Sequence, residues 1–216
     1  MSNGARPPIG SLGGTFDPVH YGHLRAAVEV REKLRLGEVR MLPSAHPPHR
    51  ATPAASAKHR LGMLQRATSC DEYLVVDDCE MQRSGPSFMV DTLAGFREQS
   101  LDVPLVLIIG QDAANGLDRW HRWSCLFDFA HIAVMRRPGA TSDYGRELGR
   151  QMSKREVNDT ASLSRSPAGC VIPVEITQLE ISSTALREKA AAGLSLLYLT
   201  PPPVIEYIRE HGLYAC

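Results

Sequence analysis

Cysteine is scarce in this 216-residue chain, and none of it is paired by spacing. Cys70, Cys79, Cys125, Cys170 and Cys216 include no Cys-x-x-Cys run, and their odd number argues against both a zinc ribbon and a disulfide framework. Reduced thiols of a cytosolic protein are the simpler reading. Net charge is also missing: Lys plus Arg and Asp plus Glu are 24 each. That balance removes the simplest case for nucleic acid or an anionic membrane as partner, since both attract a basic surface. A local basic pocket for a small anion is still compatible with it. No apolar run approaches the roughly 20 residues of a membrane helix. The first dozen residues lack the apolar core of a signal peptide. The expectation is a cytoplasmic protein with no membrane or nucleic-acid partner. There is no internal repeat and no low-complexity tail, and oligomeric state, including a homo-oligomer, is left open.

What is present is an alternation of helix-length segments with short apolar runs. Ile9–Leu12, Val39–Leu42, Tyr73–Val76, Leu105–Ile109, Ile132–Met135 and Val171–Val174 read as strands, with Glu175–Leu179 also extended. Leu105–Ile109 is apolar at every position, as a strand buried on both faces must be. Arg25–Leu36, beginning near His20 and stopped by Gly37, reads as helix. So do Lys58–Thr68, Met89–Gln99, Ser183–Ala192 and Pro203–His211. Residues 44–53 form a proline-broken loop. The span from Thr141 to Gly169 is helical in its first half and loop in its second. Trp123, three residues after Trp120, reads as part of a buried helix face. The pattern predicts an α/β fold, a Rossmann-like doubly wound parallel sheet, in one domain over 1–216 whose C-terminal part, about 181–216, carries a helix opened by Ile181-Ser182-Ser183.

In such a sheet, ligands bind beyond the carboxyl ends of the strands. The first strand ends in Gly13-Gly14-Thr15-Phe16-Asp17-Pro18-Val19-His20-Tyr21-Gly22-His23. Two glycines let backbone approach a ligand closely. His20 and His23, three apart at a helix start, share one side, where free amides and the dipole favour anions. Two imidazoles there can donate to phosphate oxygens, and Gly22 between them leaves room for phosphate or adenine. The same pair can equally be surface decoration or an incidental metal site. Neither a Gly-x-Gly-x-x-Gly run nor a Walker lysine loop is present. A second constellation, Ile181-Ser182-Ser183-Thr184-Ala185-Leu186-Arg187, sets hydroxyls and a guanidinium one turn apart. Alone it reads as either a phosphate grip or an ordinary N-cap with a solvated arginine.

Taken together and in order, these motifs resemble the nucleotidyltransferases with a His-x-Gly-His motif and a Ser/Thr-x-x-Arg motif near the C-terminus. More narrowly, the chain is similar to the bacterial nicotinate-nucleotide adenylyltransferases. The likeness is carried by Gly13–His23, Pro47-Pro48-His49-Arg50, Ile108-Ile109-Gly110-Gln111-Asp112 with Trp120, Arg136-Arg137-Pro138-Gly139, Ile181–Arg187 and the closing Tyr207–Tyr214. It runs from about residue 9 to the C-terminus. The family often has Pro-Ser-Tyr-Thr where this chain has Pro86-Ser87-Phe88-Met89, and tyrosine where it has His121.

The resemblance implies an enzyme that joins the adenylyl group of ATP to nicotinate mononucleotide, releasing pyrophosphate. It implies catalytic roles for His20, His23 and Arg187. Gly13, Gly14, Thr15, Phe16, Gly22, Ser183, Thr184 and Arg137 would bind ATP. His49, Arg50, Met89, Gly110, Asp112, Trp120 and His121 would surround the acceptor. Mg²⁺ would arrive on the ATP phosphates, with no dedicated protein ligand. Rival acceptors are nicotinamide mononucleotide and phosphopantetheine, and a rival of another class is a non-catalytic nucleotide sensor.

Overall fold

The computed structural model describes residues 6–46, 52–136, 142–177 and 179–215. Six strands form one parallel sheet: β1 (Ile9–Gly14), β2 (Glu38–Pro43), β3 (Leu74–Val76), β4 (Leu105–Gly110), β5 (His131–Arg136) and β6 (Val171–Glu175), in the order β3-β2-β1-β4-β5-β6. The helices are α1 (Tyr21–Leu34), α2 (Ala57–Thr68), α3 (Met89–Gln99), α4 (Gln111–Asn115), α5 (Leu126–Phe129), α6 (Arg146–Arg155), α7 (Ser183–Ala191) and α8 (Pro202–Glu210). The doubly wound parallel sheet expected from the alternating pattern is what forms.

The period of two along β4 explains the layering. Val106 and Ile108 pack on one face with α1, α2, α7 and α8, while Leu105, Leu107 and Ile109 pack on the other with α3 and α5. Because both faces are covered, no position of the strand can be polar.

The order reverses between β1 and β4, and that reversal opens the crevice. β1 stays paired with β2 as far as Gly14, which meets Pro43. Its pairing with β4 covers only Ile9–Ser11 against Leu105–Leu107. Past Ser11 the two strands part, so Gly13-Gly14 and Ile109-Gly110 face a gap at the carboxyl edge, the usual ligand position in open α/β sheets.

Some expectations need correction. α1 ends at Leu34, and Arg35, not Gly37, takes the left-handed cap (φ 53°), its amide and that of Leu36 satisfying the last carbonyls. Gly37 instead lies where Pro7 would touch an added Cβ at 2.8 Å. Of the stretch from 175 to 179, β6 takes only Glu175, and Ile176 and Thr177 lie outside it. Trp120 and Trp123 do not share a helix face. Trp120 is the extended residue that ends the 3-10 turn Leu117–Arg119, Trp123 opens the next one, Trp123–Cys125, after a left-handed Arg122 (φ 50°), and Trp123 meets Phe127 edge-on. Tryptophan spacing alone could not reveal that break. No described helix is long and apolar enough to cross a membrane.

Candidate active site

The loop after β1 is held in a demanding conformation. Phe16 has φ 50°, which costs a residue with a Cβ about 1–2 kcal/mol. Its ring is 1% exposed, and that burial offsets the strain. The turn delivers Asp17 inward and His20 to the N-cap of α1. No side chain caps this helix.

Asp17 is the anchor of the loop. Its carboxylate accepts from the amides of Ala54 (2.7 Å) and Ala55 (3.1 Å) and from the Tyr214 hydroxyl (2.6 Å). Burial, reinforced by that bond to Asp17, pushes the Tyr214 phenol far above its ordinary pKa. Arg187 Nη1 donates to the Asp17 carbonyl at 2.7 Å and lies 4.0 Å from its carboxylate. Ser183 Oγ donates to the Pro18 carbonyl at 2.9 Å, and Thr200 Oγ1 to that of Val19 at 2.8 Å. Ser182 caps α7 by accepting from the Ala185 amide. The C-terminal helices are thus tied onto the histidine loop, and Arg187 sits beside Thr184, to whose Oγ1 it donates at 3.3 Å.

Beneath the loop, Arg60 is buried. It donates to the carbonyls of Thr15 (2.8 Å), Ala45 (3.3 Å) and Ala55 (3.3 Å), so one guanidinium spans three segments. Burial lowers its pKa, opposed by the charge of Asp17.

His20 is buried, and its ring stacks on His23 with centroids 3.8 Å apart; Phe16 meets His23 edge-on at 5.1 Å. Burial lowers the His20 pKa to about 4, so the imidazole is neutral near pH 7. Its Nδ1 has no hydrogen-bond partner among the described residues. A Cβ on Gly22 would lie 2.9 Å from that atom, so only glycine leaves the ring where it is.

Two cavities meet at the crevice, and Asp112 lines both. One, of about 360 Å³, is lined by His20, Gly22, His23, Gly110, Gln111, Asn115, Arg136 and Thr177 among others. Its wall is fixed by hydrogen bonds. Gln111 accepts from Arg136 Nε (3.0 Å) and donates to Asn115 (2.7 Å), while Asn115 accepts from the Asp143 amide. Buried Glu29 accepts from the Thr177 amide at 2.8 Å and from Arg25. Burial alone would raise its pKa, but those hydrogen bonds outweigh it and the carboxyl stays below its ordinary value. The other cavity, of about 400 Å³, is lined by Gly13, Gly14, Thr15, Glu80, Phe88, Met89, Val90, Trp120 and His121 among others. His121 stacks on Phe88 at 4.3 Å, and Met89 lies against Gly13. Ser87 Oγ accepts from the amides of Ala45 and His46, fixing the turn that leads into α3. No side chain caps α3, so its first amides are open to this cavity.

Most of the expected site residues therefore converge, in two sets. His20, His23, Gly22 and Gly110 face the first cavity; Gly13, Gly14, Thr15, Met89, Trp120 and His121 face the second. Asp112 is exposed between them and does not cap α4, whose N-cap is Gly110. Phe16 shapes the loop from within the core and lines neither cavity. Ser183 and Arg187 are bonded to the histidine loop and Thr184 to Arg187, and none of the three is among the residues lining the two cavities. His49, Arg50 and Arg137, with Pro47, Pro48, Pro138 and Gly139, lie outside the described residues. Sequence reasoning missed Arg60, Tyr214 and the anchoring work of Asp17. Asp17 and Tyr214 each lie inside a motif that carries the resemblance, whereas Arg60 carried no local signal.

Comparison with known proteins agrees with this architecture. A family model described as cytidylyltransferase-like matches residues 11–189. The chain is 48% identical to a protein of Methylococcus capsulatus named "probable nicotinate-nucleotide adenylyltransferase", over 96% of this chain and 99% of that one. It is 44% identical to one of the same name from Aeromonas hydrophila, over 97% and 98%. In fold it is similar to the nicotinic acid mononucleotide adenylyltransferase of Plasmodium falciparum solved with NaAD (TM-score 0.72, 16% identity, covering 97% and 98%). With nearly full-length relatives at this identity, the chain belongs to the nicotinate-nucleotide adenylyltransferase family within the cytidylyltransferase-like nucleotidyltransferases.

Proposed function

We propose that the protein joins the adenylyl group of ATP to nicotinate mononucleotide, giving nicotinate adenine dinucleotide and pyrophosphate, a step of NAD biosynthesis in the cytoplasm. The observation that carries this is the pair of cavities meeting at Asp112 where β1 and β4 part, one floored by stacked histidines and the other by an uncapped helix start. ATP occupies the histidine side and the mononucleotide the α3 side, so that the two phosphates meet at Gly13–Thr15. The free amides and dipole of α3 suit the pyridine carboxylate. Phe88, Trp120 and His121 supply aromatic surface for the ring, and Asp112 an acceptor for a ribose hydroxyl.

The mononucleotide phosphate is already an anionic nucleophile near neutral pH, so no strong base and no covalent intermediate are needed. Its oxygen attacks the α-phosphorus of ATP as the bond to the pyrophosphate oxygen breaks on the opposite side. Catalysis then consists of alignment and of donors aimed at spreading negative charge. A neutral His20 can donate one hydrogen bond from its ring N–H to a phosphate oxygen. Arg187, Ser183 and Thr184 hold the departing pyrophosphate. Among the described residues no group of three or more His, Cys, Asp or Glu is placed to hold a metal ion. A magnesium ion carried by the triphosphate requires none, since it keeps much of its water shell, and it would neutralise phosphate charge.

The test is pyrophosphate release with ATP and each of nicotinate mononucleotide, nicotinamide mononucleotide and phosphopantetheine. The expected order places nicotinate mononucleotide first. Preference for phosphopantetheine, or release with none of the three, would overturn the reading.

A further inference from the structure

We propose that buried Glu80 and its neighbour Arg83 set the choice between acid and amide on the acceptor's pyridine ring. This rests on the acceptor assignment above and adds to it a pair of specificity-determining residues. The cavity on the α3 side has no lysine or arginine among its described lining residues; its charged groups are Glu80 and Asp112. Among the described residues, recognition of a carboxylate there falls to backbone amides, and its strength is tuned by the charges standing close to them.

Asp91, in the first turn of α3 itself, is exposed and pairs with Arg122, which leaves Glu80 as the buried carboxylate beside those amides. Glu80 is 3% exposed and lines the cavity, and its Oε1 accepts from Thr92 Oγ1 at 2.8 Å. Thr92 belongs to the first turn of α3, whose amides are uncapped. Arg83 stands behind the pair: its Nη2 donates to the same Thr92 hydroxyl and lies 4.0 Å from Glu80 Oε1. A negative and a positive charge thus flank one helix terminus through one hydroxyl. An incoming carboxylate is repelled by Glu80 and attracted by Arg83. An incoming carboxamide carries no net charge and responds to neither at first order. The pair therefore scales the affinity for the acid and leaves that for the amide nearly unchanged.

The experiment compares kcat/KM for nicotinate and nicotinamide mononucleotides in the wild type, Glu80→Gln and Arg83→Gln. Glutamine at 80 still accepts from Thr92, so the hydrogen bond survives while the charge is removed. Glu80→Gln is expected to raise the acid-to-amide ratio by about threefold to tenfold, and Arg83→Gln to lower it by about as much, the scale of one partly screened charge. A general loss of packing would lower both acceptors together and could not move the ratio in opposite directions. A ratio that stays fixed in both variants, or shifts the same way in both, overturns the proposal. If amide turnover is below detection in all three proteins, kcat/KM for the acid alone must rise in Glu80→Gln and fall in Arg83→Gln, and any other pattern overturns it. Wild-type release of pyrophosphate with the acid separates the two readings: without it the acceptor assignment fails, whereas with it the ratio judges only Glu80 and Arg83.

Discussion

His20 and His131 are both buried, and burial lowers the pKa of both. They stand at opposite edges of the sheet. His131 opens β5 at the amino edge, where its Nε2 faces the Ser166 carbonyl at 2.9 Å and its Nδ1 accepts from the Cys170 amide at 3.0 Å. Both ring nitrogens are used within the fold. His20 sits past the carboxyl end of β1, stacked on a second histidine, with a buried Nδ1 that has no hydrogen-bond partner among the described residues. The two arginines repeat the contrast. Arg97 at the amino edge donates to the carbonyls of Ser100, Leu101, Val103, Phe129 and Pro167, tying three loops together. Arg187 at the carboxyl edge makes fewer bonds, to the Asp17 carbonyl and the Thr184 hydroxyl. The amino edge turns most of its polar atoms to the fold, although Arg97 Nε is also buried without a hydrogen-bond partner among the described residues. An unsatisfied buried atom points to function where, as at His20, its residue also lines a cavity.

The sharpest way to break this contrast is to truncate each histidine. His20→Ala and His23→Ala should each lower kcat by about 100-fold or more with little change in melting temperature, the scale of losing one donor to transition-state charge. His131→Ala should do the reverse, losing about 3 kcal/mol of stability through two lost hydrogen bonds and a cavity. That corresponds to a melting temperature roughly 5–10 °C lower, with kcat retained where the protein is folded. Steady-state kinetics beside thermal melts decides it, and equal effects at both sites would erase the distinction.

Arg97→Met and Arg187→Ala extend the comparison. The first should destabilise by about 3 kcal/mol, because five carbonyls, three of them part-buried, lose their shared donor. The second should lower kcat/KM for ATP by about tenfold to 100-fold, with a small change in stability. Arg60 joins the two behaviours, since it ties several carbonyls together as Arg97 does yet carries the Thr15 carbonyl of the site. Arg60→Met should lower both melting temperature and turnover.

Gly22→Ala sharpens the role of ring position. Its Cβ would press on His20 Nδ1 at 2.9 Å and Cε1 at 3.0 Å, and the stacked His23 blocks retreat. A kcat reduction of about tenfold to 100-fold is expected with ATP affinity less affected, as misplacement of a catalytic group should produce. Kinetics that match the wild type would show the ring to be free to shift.

The smallest effect is on pH. His20 binds a proton near pH 6.5 when unfolded and near 4 when folded. Between these values the unfolded chain holds more protons, so stability rises with pH there. The contribution is complete above about pH 6.5 and is lost as pH falls toward 4, roughly 3 kcal/mol at most. His131 shifts in the same direction. Urea midpoints between pH 7 and 4 should therefore flatten in part for His20→Asn and in part for His131→Asn; an unchanged slope in both would contradict the burial argument.

The sequence made much of this legible, for a physical reason. The alternation of buried strands with helices is written in local hydrophobicity, and Gly13, Gly14, His20, Gly22 and His23 of the crevice sit within eleven consecutive residues, 13–23. What stayed hidden depends on distant partners. Asp17 bonds to residues 37, 170 and 197 positions away, and nothing near it announces Ala54, Arg187 or Tyr214. Arg60 looks like any helix arginine until α2 turns it beneath the loop. Trp120 and Trp123 misled because three-residue spacing signifies a face only while the helix is unbroken. Glu80 lay in a polar stretch without periodicity, and its closeness to α3 arises from the return of the chain.

The most direct test of the central claim follows the α-phosphorus of ATP. With ATP labelled there, and nicotinate mononucleotide as acceptor, the label should appear in a dinucleotide in equal amount to the pyrophosphate released, and the protein should stay unlabelled when the acceptor is withheld. Label on the protein, or ADP and inorganic phosphate in place of pyrophosphate, would contradict direct adenylyl transfer in the crevice between β1 and β4.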